Sequence, residues 1–318
     1  MQLKDFLNDN RISYIENVSL QKLTGMNLLG TLPLIAYPES IYQLEILYKW
    51  IVNTDFSYEV LGGLTNTYLK ENFRRDLVIV TTKVRDINFA DNKIVVGCGY
   101  GLSSISKKLT RDGYDHFCGL VGIPGTIGAA AINNSGAFGD SMSQVVSSVT
   151  IMDNKGIEHE LTSLELSFSP RRSKLKFNNF GVVLSVTLYL KKATDCDSLL
   201  KKMNSYQELR RKLIDGHRKS LGSIIAGYSL QELWKRHKFA NIIRKIIYYP
   251  FKYTRFRKQA QCFAEFISLG NIKFIKHCDN LGRFCWTKNT KESDFMEYLS
   301  FIKAKSCNKI IIEIEIKS

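Results

Sequence analysis

Residues 119–140 contain six glycines and no charged residue before Asp140, and this feature limits most strongly what the chain can fold into. The other side chains in the segment are mostly small or aliphatic, so the segment cannot fill a core by itself. Glycine has no Cβ, so backbone here can approach a ligand closely, and successive free N–H groups in such turns form concave anion sites. The segment predicts contact with a flat, phosphorylated ligand, and a tight loop between strands is the alternative. The glycines are Gly119, Gly122, Gly125, Gly128, Gly136 and Gly139.

A second glycine cluster lies at residues 60–69, where a short apolar strand runs into Gly62 and Gly63 and then into Thr65 and Asn66. A strand, a glycine turn and small polar residues are typical of a phosphate-binding loop. No Gly-Lys-Ser/Thr follows, so the loop is not a Walker loop, and it is not the GxGxxG of a Rossmann unit. Two clusters far apart in sequence favour one extended ligand held by two loops.

Length, charge and cysteine usage narrow the class of protein. The 318 residues allow two domains, and the net charge of +15 favours polyanionic small molecules, a membrane surface or nucleic acid as partners. No base-reading motif is present, so no nucleic-acid partner is expected. No segment has the apolar length of a membrane span, and the N-terminus does not resemble a signal peptide. Seven cysteines without a CxxC pair favour free thiols in the cytoplasm, and the histidines have no metal-ligand spacing.

The order of elements predicts an α+β fold with a mixed sheet. Helices are expected from Ile41 and from Leu102, a hairpin around residues 154–156, and a strong strand from Gly181. A first domain is predicted over 1–192 and a second over 193–318, which begins with a helical pattern. The second domain ends on an alternating strand, with Glu313 and Glu315 on one face and Ile312, Ile314 and Ile316 on the other.

Three strings carry a family resemblance. LGGLTN (61–66), GIPGTIG (122–128) and NSGAFG (134–139) are similar in order and spacing to LGGGSN, GIPGTxGG and NAGAYG of UDP-N-acetylenolpyruvoylglucosamine reductases (the MurB type). The chain departs from these strings at Leu64, Thr65, Ala129, Ser135 and Phe138. The resemblance covers roughly residues 20–190.

The resemblance implies an FAD-binding domain with two lobes, of the vanillyl-alcohol-oxidase (PCMH) type. A smaller α+β substrate domain follows it, and the final strand returns toward the flavin. The cofactor contacts that it implies are Leu61, Gly62, Gly63, Leu64, Thr65, Asn66, Gly122, Ile123, Pro124, Gly125, Thr126, Gly128, Asn134, Gly136, Ala137, Gly139 and Val183.

The resemblance also implies a reaction in cell-wall precursor synthesis. NADPH reduces the flavin, and the flavin passes a hydride to the enolpyruvyl group of a nucleotide sugar. Charge that develops on the substrate carboxylate needs a cation, and the neighbouring carbon needs a proton. The matching residues are Arg171 in FSPRRSKLK, with Ser173 as its motif neighbour, Ser223 in KSLGSIIAG as the proton donor, and Glu315 in IEIEIK. The alternative for Arg171 and its neighbour Ser173 is an ordinary basic loop. The alternative for Ser223 is a helix N-cap, and that for Glu315 is a solvated strand face.

The substrate half departs further from the family. Pro170 replaces a tyrosine, Ile224, Ile225 and Ala226 stand where the family has Phe-Lys-Asn-Pro, and Leu281, Gly282 and Arg283 stand where it has His-Ala-Asn. A second hypothesis is therefore a divergent flavoprotein of the same fold, a reductase or an oxidase, that acts on another sugar or glycolipid in surface polysaccharide synthesis. Oxidases of the wider class often attach FAD covalently, for which His116 and Cys118 are candidates.

Residues 233–258 carry nine Lys or Arg, no Asp or Glu, and many aromatic residues. Three interpretations stay open. The aromatic residues pack inward between two helices, or the segment lies on a membrane surface and is divided by Pro250, or it forms an altered substrate pocket. The expected partner is a small-molecule nucleotide sugar, a peripheral membrane contact through residues 233–258 is one of the three alternatives, and the sequence does not predict the oligomeric state.

Overall fold

The structure is a computed structural model, and it describes residues 2–26, 28–176, 180–213, 219–225, 227–287, 289–307 and 312–318. The chain forms two compact units. The first contains residues 1–18, 32–64 and 74–214, and the second contains residues 19–31, 65–73 and 215–318.

The described residues form an α+β protein, which confirms the predicted class. The helices are α1 (Leu3–Asp9), α2 (Leu20–Thr24), α3 (Ile41–Ile51), α4 (Leu102–Arg111), α5 (Ile127–Ile132), α6 (Cys196–Leu213), α7 (Gly227–Arg236), α8 (Lys238–Tyr248), α9 (Arg257–Ser268) and α10 (Glu292–Lys305). The strands are β1 (Ser13–Ser19), β2 (Thr31–Tyr37), β3 (Tyr58–Leu61), β4 (Thr67–Leu69), β5 (Leu77–Val80), β6 (Ile87–Ala90), β7 (Lys93–Gly97), β8 (Gly136–Ala137), β9 (Asp140–Ser141), β10 (Val146–Met152), β11 (Glu158–Thr162), β12 (Val182–Tyr189), β13 (Lys219–Ser220), β14 (Cys278–Asn280), β15 (Arg283–Trp286) and β16 (Glu315–Lys317).

The first sheet of the first unit has the order β1-β2-β5-β3, and β5 pairs in parallel with both β2 and β3. The helix α3 connects β2 to β3, as the apolar spacing from Ile41 predicts. It begins where the Ser40 hydroxyl accepts a hydrogen bond from the Gln43 N–H at 3.1 Å, and it buries Leu44, Leu47 and Ile51. The strand β3 therefore ends at the first glycine loop on a well-anchored sheet.

The second sheet of the first unit is antiparallel, with the order β11-β10-β12-β7-β6. The predicted hairpin is confirmed, since β10 and β11 pair with Met152 opposite Glu158. The central strand β12 is buried along almost its whole length, which explains its continuous run of apolar and small residues. The opposite neighbour of β12 is β7, and the chain that leaves β7 contacts the second glycine segment.

The units differ from the predicted boundary at residue 192. The helix α6 belongs to the first unit because Leu199 and Met203 pack against Cys118 and Val121 beside the second glycine segment. Two short segments from the first half of the sequence, 19–31 and 65–73, belong to the second unit. These contacts join residues distant in sequence, and composition along the chain does not mark them.

The second unit contains α7–α10, a sheet of order β13-β15-β14, and a parallel pair of β4 with β16. Its core is aromatic, and Phe274, Phe284, Phe295 and Tyr298 are fully buried there. The predicted terminal strand is shorter than expected, because β16 covers Glu315–Lys317 and residues 308–311 lie outside the described residues.

Gly99, in the turn after β7, is a position at which the packing of the first unit can be tested. A Cβ on Gly99 would lie 1.6 Å from the Thr81 carbonyl oxygen, so the backbone would have to move. We expect Gly99→Ala to lower the free energy of unfolding by about 1–3 kcal/mol, measured by urea denaturation. The matched control is Gly101→Ala, since a Cβ there would have Ser104 Oγ as its nearest neighbour at 3.4 Å. Equal stability of the two variants would contradict this packing.

Candidate functional site: two glycine loops and two arginines

The two glycine clusters meet in the first unit. A Cβ on Gly62 would lie 2.8 Å from Thr126 Oγ1 and 3.7 Å from the Ala129 Cβ, so the first loop lies against the start of α5. A Cβ on Gly128 would lie 2.8 Å from the Cys98 Cβ, just beyond β7. Gly62 of the first cluster and Thr126 of the second are therefore brought together within the first unit, and glycine is needed there because the backbones approach so closely.

The loops, rather than a helix end, provide unused main-chain donors. The N–H groups of Gly63, Leu64 and Gly125 donate to no other residue within the described part of the chain. The first donors of α5 are already used, because the Ile127 N–H donates to the Tyr100 carbonyl at 2.8 Å and the Gly128 N–H donates to that of Cys98 at 2.9 Å. Such unused loop N–H groups are suited to an anionic ligand.

Backbone conformation shows the cost of one departure from the family strings. Leu64 has a φ of 53°, and Gly122 and Gly125 have φ values of 85° and 110°. In this left-handed region a non-glycine residue costs roughly 1–2 kcal/mol, so the family's glycine at the position of Leu64 is the less strained choice. Asn134 has a φ of 42°, which asparagine tolerates better than most residues do.

Asp140 holds the start and the end of the glycine segment together. Its Oδ2 accepts the Gly119 N–H at 2.6 Å and the Cys118 thiol at 3.2 Å. Burial and the Asp140 carboxylate raise the pKa of the Cys118 thiol to about 12. A buried, protonated thiol is a poor nucleophile, so this geometry disfavours covalent attachment of a flavin through Cys118.

The loop that carries Arg171 is fastened to the glycine segment by three hydrogen bonds. Arg171 Nη1 donates to the Gly136 carbonyl at 2.8 Å, and the buried Ser173 hydroxyl donates to that of Ile132 at 2.7 Å. Asn134 Nδ2 donates to the Ser169 carbonyl at 2.9 Å. The predicted catalytic arginine thus adjoins the second glycine segment. The hydroxyl of Ser173, by contrast, is used in a hydrogen bond that fastens the loop to Ile132.

Sequence reasoning missed Arg210, which lies on α6 over the same segment. Its Nη2 donates to the Gly119 carbonyl at 2.8 Å, and its guanidinium lies 5.0 Å from the centre of the Phe138 ring, which stacks on Tyr206. Its buried Nε has no hydrogen-bond partner among the described residues. Burial, followed by the nearby Arg171, lowers the pKa of this guanidinium, but arginine stays charged. The string QELRRKL resembles an ordinary solvated helix, so nothing local marks this residue.

Ser223 and Glu315 lie in neighbouring segments of the second unit. The Glu313 N–H donates to the Ile224 carbonyl at 2.8 Å, and the Glu315 N–H donates to that of Asn66 at 3.0 Å. The exposed Ser223 donates its hydroxyl to the Ile225 carbonyl at 2.7 Å. The helix α7 begins only at Gly227, so the N-cap interpretation of Ser223 is wrong.

Glu315 is exposed, and its Oε1 lies 2.9 Å from Lys317 Nζ. This arrangement fits a solvated strand face as well as it fits a catalytic carboxylate. The strand β16 pairs with β4, which directly follows the first glycine loop, as Glu315 opposite Thr67 shows. The catalytic roles of Ser223 and Glu315, and the return of the final strand toward a flavin, stay predictions.

The other predicted cofactor residues occupy three places. Leu61 ends β3, and its carbonyl accepts a hydrogen bond from the Thr81 hydroxyl at 3.3 Å. Thr65 belongs to the second unit. Val183 is buried on β12. The remaining predicted cofactor residues lie in the second glycine segment and are Ile123, Pro124, Ala137 and Gly139. Within the described residues no group of histidine, cysteine, aspartate and glutamate side chains is arranged to hold a metal ion.

These residues fit a dinucleotide. FAD carries a pyrophosphate, and the first unit offers unused N–H groups at Gly63, Leu64 and Gly125. The guanidinium groups of Arg171 and Arg210 each donate to a carbonyl of the glycine segment, and no carboxylate of the described residues raises the pKa of Arg210. A Cβ on Gly139 would meet nothing within 4 Å, so open space borders the segment there. The donors, the positive charge and the lack of side-chain bulk all suit an anionic, extended ligand.

Known proteins agree with this assignment. The family described as FAD binding domain matches residues 33–162. UDP-N-acetylenolpyruvoylglucosamine reductase of Pediococcus pentosaceus is 29% identical over 199 residues, which cover 63% of this chain and 66% of that protein. The reductase of the same name from Leuconostoc mesenteroides is 31% identical over 179 residues, which cover 56% and 61%. The aligned part is thus less than two thirds of each relative's length.

A solved structure shares the fold over nearly the whole chain. The UDP-N-acetylenolpyruvylglucosamine reductase of Thermus caldophilus superposes with a TM-score of 0.63 at 20% identity, covering 97% of this chain and 99% of that one. The fold and the glycine loops define an FAD-binding protein of the vanillyl-alcohol-oxidase (PCMH) type. Within that class, the aligned part of the chain is similar to UDP-N-acetylenolpyruvoylglucosamine reductases, at 29% and 31% identity to the two relatives above.

Arg210 provides a test of the site. We expect Arg210→Ala to weaken FAD binding about ten- to a hundredfold, because a charged donor next to the glycine segment is lost. The dissociation constant follows from quenching of flavin fluorescence on titration. Arg211→Ala is the matched control, since Arg211 is exposed on the same helix. Equal affinity of the two variants would remove Arg210 from the cofactor site.

Proposed function

We propose that the chain is an FAD-dependent reductase. It takes a hydride from NADPH and delivers it to the enolpyruvyl group of a nucleotide sugar in cell-wall precursor synthesis. The observation that carries the proposal is the hydrogen bond from Arg171 to the Gly136 carbonyl, which holds the predicted catalytic cation beside the cofactor loops. The relatives at about 30% identity carry the name of this reductase, which supports the same reaction.

The side chains have distinct tasks in this reaction. Bound FAD supplies the hydride. The Arg171 guanidinium stabilises the negative charge that develops on the substrate carboxylate, since a preorganised cation acts most strongly where charge appears. The Ser223 hydroxyl donates the proton to the neighbouring carbon, and the Glu315 carboxylate assists at the same centre.

Charge and thiols support the choice of substrate and compartment. FAD, NADPH and a nucleotide sugar all carry phosphates, and a net charge of +15 favours such ligands. None of the seven cysteines forms a disulfide, which fits the reducing cytoplasm where these precursors would be used.

The second unit favours a second candidate, a reductase or oxidase of the same fold that acts on another sugar or glycolipid. Where the family has His-Ala-Asn, Leu281 is buried, its N–H donates to Glu265 at 2.7 Å, and its carbonyl accepts the Tyr298 hydroxyl at 2.6 Å. Arg283 donates to the Ser220 hydroxyl at 2.8 Å. These positions serve the packing of the second unit, so the family's contacts to its substrate are altered there.

The test follows the two half-reactions of the flavin separately. We expect NADPH to bleach the flavin absorption and UDP-N-acetylglucosamine enolpyruvate to restore it. We expect Arg171→Ala to slow the restoring step about a hundred- to a thousandfold, because the developing carboxylate charge loses its cation. Arg171→Lys should recover part of the loss, and bleaching by NADPH should stay near its original rate. Stopped-flow absorption near the flavin band measures both rates.

Arg172→Ala is the control for this test, since Arg172 is exposed next to Arg171. An unchanged restoring rate in Arg171→Ala would contradict the role of Arg171. Bleaching that only oxygen or another sugar reverses would replace the proposed substrate with the second candidate. A flavin that NADPH does not bleach would reject the reductase itself.

A further inference from the structure

The helix α8 presents an apolar stripe to solvent. Phe239, Ile242, Ile246 and the adjoining Tyr249 follow one another at spacings of 3, 4 and 3 residues, so they share one face. Their exposed fractions are 76%, 55%, 67% and 73%, and no residue of α8 is buried. A surface helix normally turns its apolar face toward the core, and a contiguous exposed apolar patch marks an interaction site.

The opposite face of α8 already has its packing partners. Arg244 stacks its guanidinium 4.6 Å from the centre of the Trp234 ring and donates to Asn241 at 2.8 Å. The same side of the helix packs against α9 and α7. The interpretation that the aromatic residues of 233–258 pack inward is therefore wrong for five of the seven, which are exposed: Phe239, Tyr249, Phe251, Tyr253 and Phe256.

Basic residues border this stripe. Lys238, Lys245 and Lys252 are exposed and recur every seven residues along its edge. In the turns that follow, Lys252 lies 5.0 Å from the centre of the Tyr253 ring and Arg255 lies 4.7 Å from that of Phe256. Residues 233–258 contain nine cations and no carboxylate. An apolar stripe with aromatic residues and lysine at its border is typical of a helix that lies in the plane of a membrane interface.

We propose that residues 238–256, here called the basic–aromatic surface, bind the surface of an anionic lipid bilayer. The helix α8 lies along that surface, with its apolar stripe among the lipid headgroups and its lysines on the lipid phosphates. This inference goes beyond the proposed function and does not depend on it. Within the described residues, no helix has the length and apolar character needed to cross a membrane.

Charge argues against two other occupants. A second copy of the chain, bound through the same surface, would bring the five cations of residues 238–256 against the same five cations, without a carboxylate from that segment. A nucleic acid would satisfy the cations and could stack on the aromatic rings, but Ile242 and Ile246 would stay exposed to water. A bilayer interface accepts the aliphatic residues and the cations together.

The experiment is sedimentation of the full chain with vesicles of phosphatidylcholine alone or of phosphatidylcholine with one third phosphatidylglycerol. We expect binding to the anionic vesicles only, weakened when NaCl rises from 0.1 to 0.5 M. The triple variant Lys238→Gln/Lys245→Gln/Lys252→Gln should bind about a hundredfold more weakly. The triple variant Phe239→Ser/Ile242→Ser/Ile246→Ser should lose at least about tenfold.

Two control variants match these changes in number and exposure. They are Lys22→Gln/Lys93→Gln/Lys201→Gln and Tyr42→Ser/Ile157→Ser/Leu164→Ser, at exposed positions outside the basic–aromatic surface. Both should bind like the original chain. Circular dichroism verifies folding, and the lysine variant keeps the test decisive if the serine variant unfolds, because those lysines are exposed.

Several results would overturn the proposal. They are equal binding to neutral and anionic vesicles, no binding to either, or equal losses in the test and control variants. Two further results would assign the surface to another occupant. One is tighter binding of a 20-nucleotide single-stranded RNA than of the anionic vesicles, and the other is a concentration-dependent dimer in sedimentation velocity that Phe239→Ser/Ile242→Ser/Ile246→Ser abolishes.

Discussion

The candidate site depends on four positions where a side chain cannot be accommodated without a shift. A Cβ at Gly62, Gly119, Gly128 or Gly136 would lie between 2.3 and 2.8 Å from its nearest neighbour. Without these Cβ atoms, the loop after β3, the chain after β7 and the glycine segment converge. The close packing leaves little room for side chains, so the surface that these segments form is largely main chain. A ligand there would meet N–H groups, and that is the physical reason why the site suits a pyrophosphate.

Cations are added to this main-chain surface from two distant parts of the sequence. Arg171 comes from the loop after β11, and Arg210 comes from α6, and each donates to a carbonyl of the glycine segment. The second unit is built differently, around aromatic packing that uses Leu281 and Phe284. The cofactor half of the family is thus kept, while the positions that differ most from the family serve the core of the second unit. This division is why the FAD-binding domain can be stated plainly, whereas the substrate stays a proposal.

Local patterns predict the local elements well. The helix from Ile41, the helix from Leu102 and the hairpin at Met152 are confirmed, because periodicity, caps and turns act over a few residues. The meeting of the two glycine loops also follows the resemblance. The position of α6 does not, because Leu199 and Met203 look like an ordinary amphipathic pattern until their partners Cys118 and Val121 are known. Arg210 was missed for the same reason. The exposed stripe of α8 is the opposite case. Helical spacing predicts that apolar residues share one face of the helix, but it does not predict whether the core covers that face.

The central claim is that the two glycine loops bind the pyrophosphate of a dinucleotide. Calorimetric titration of the flavin-free protein tests this claim most directly. FAD should bind, and riboflavin, which shares the ring system but has no phosphate, should bind at least about a hundredfold more weakly. Equal affinities for FAD and riboflavin would show that the ring alone determines binding. Failure of FAD to bind at all would contradict the account.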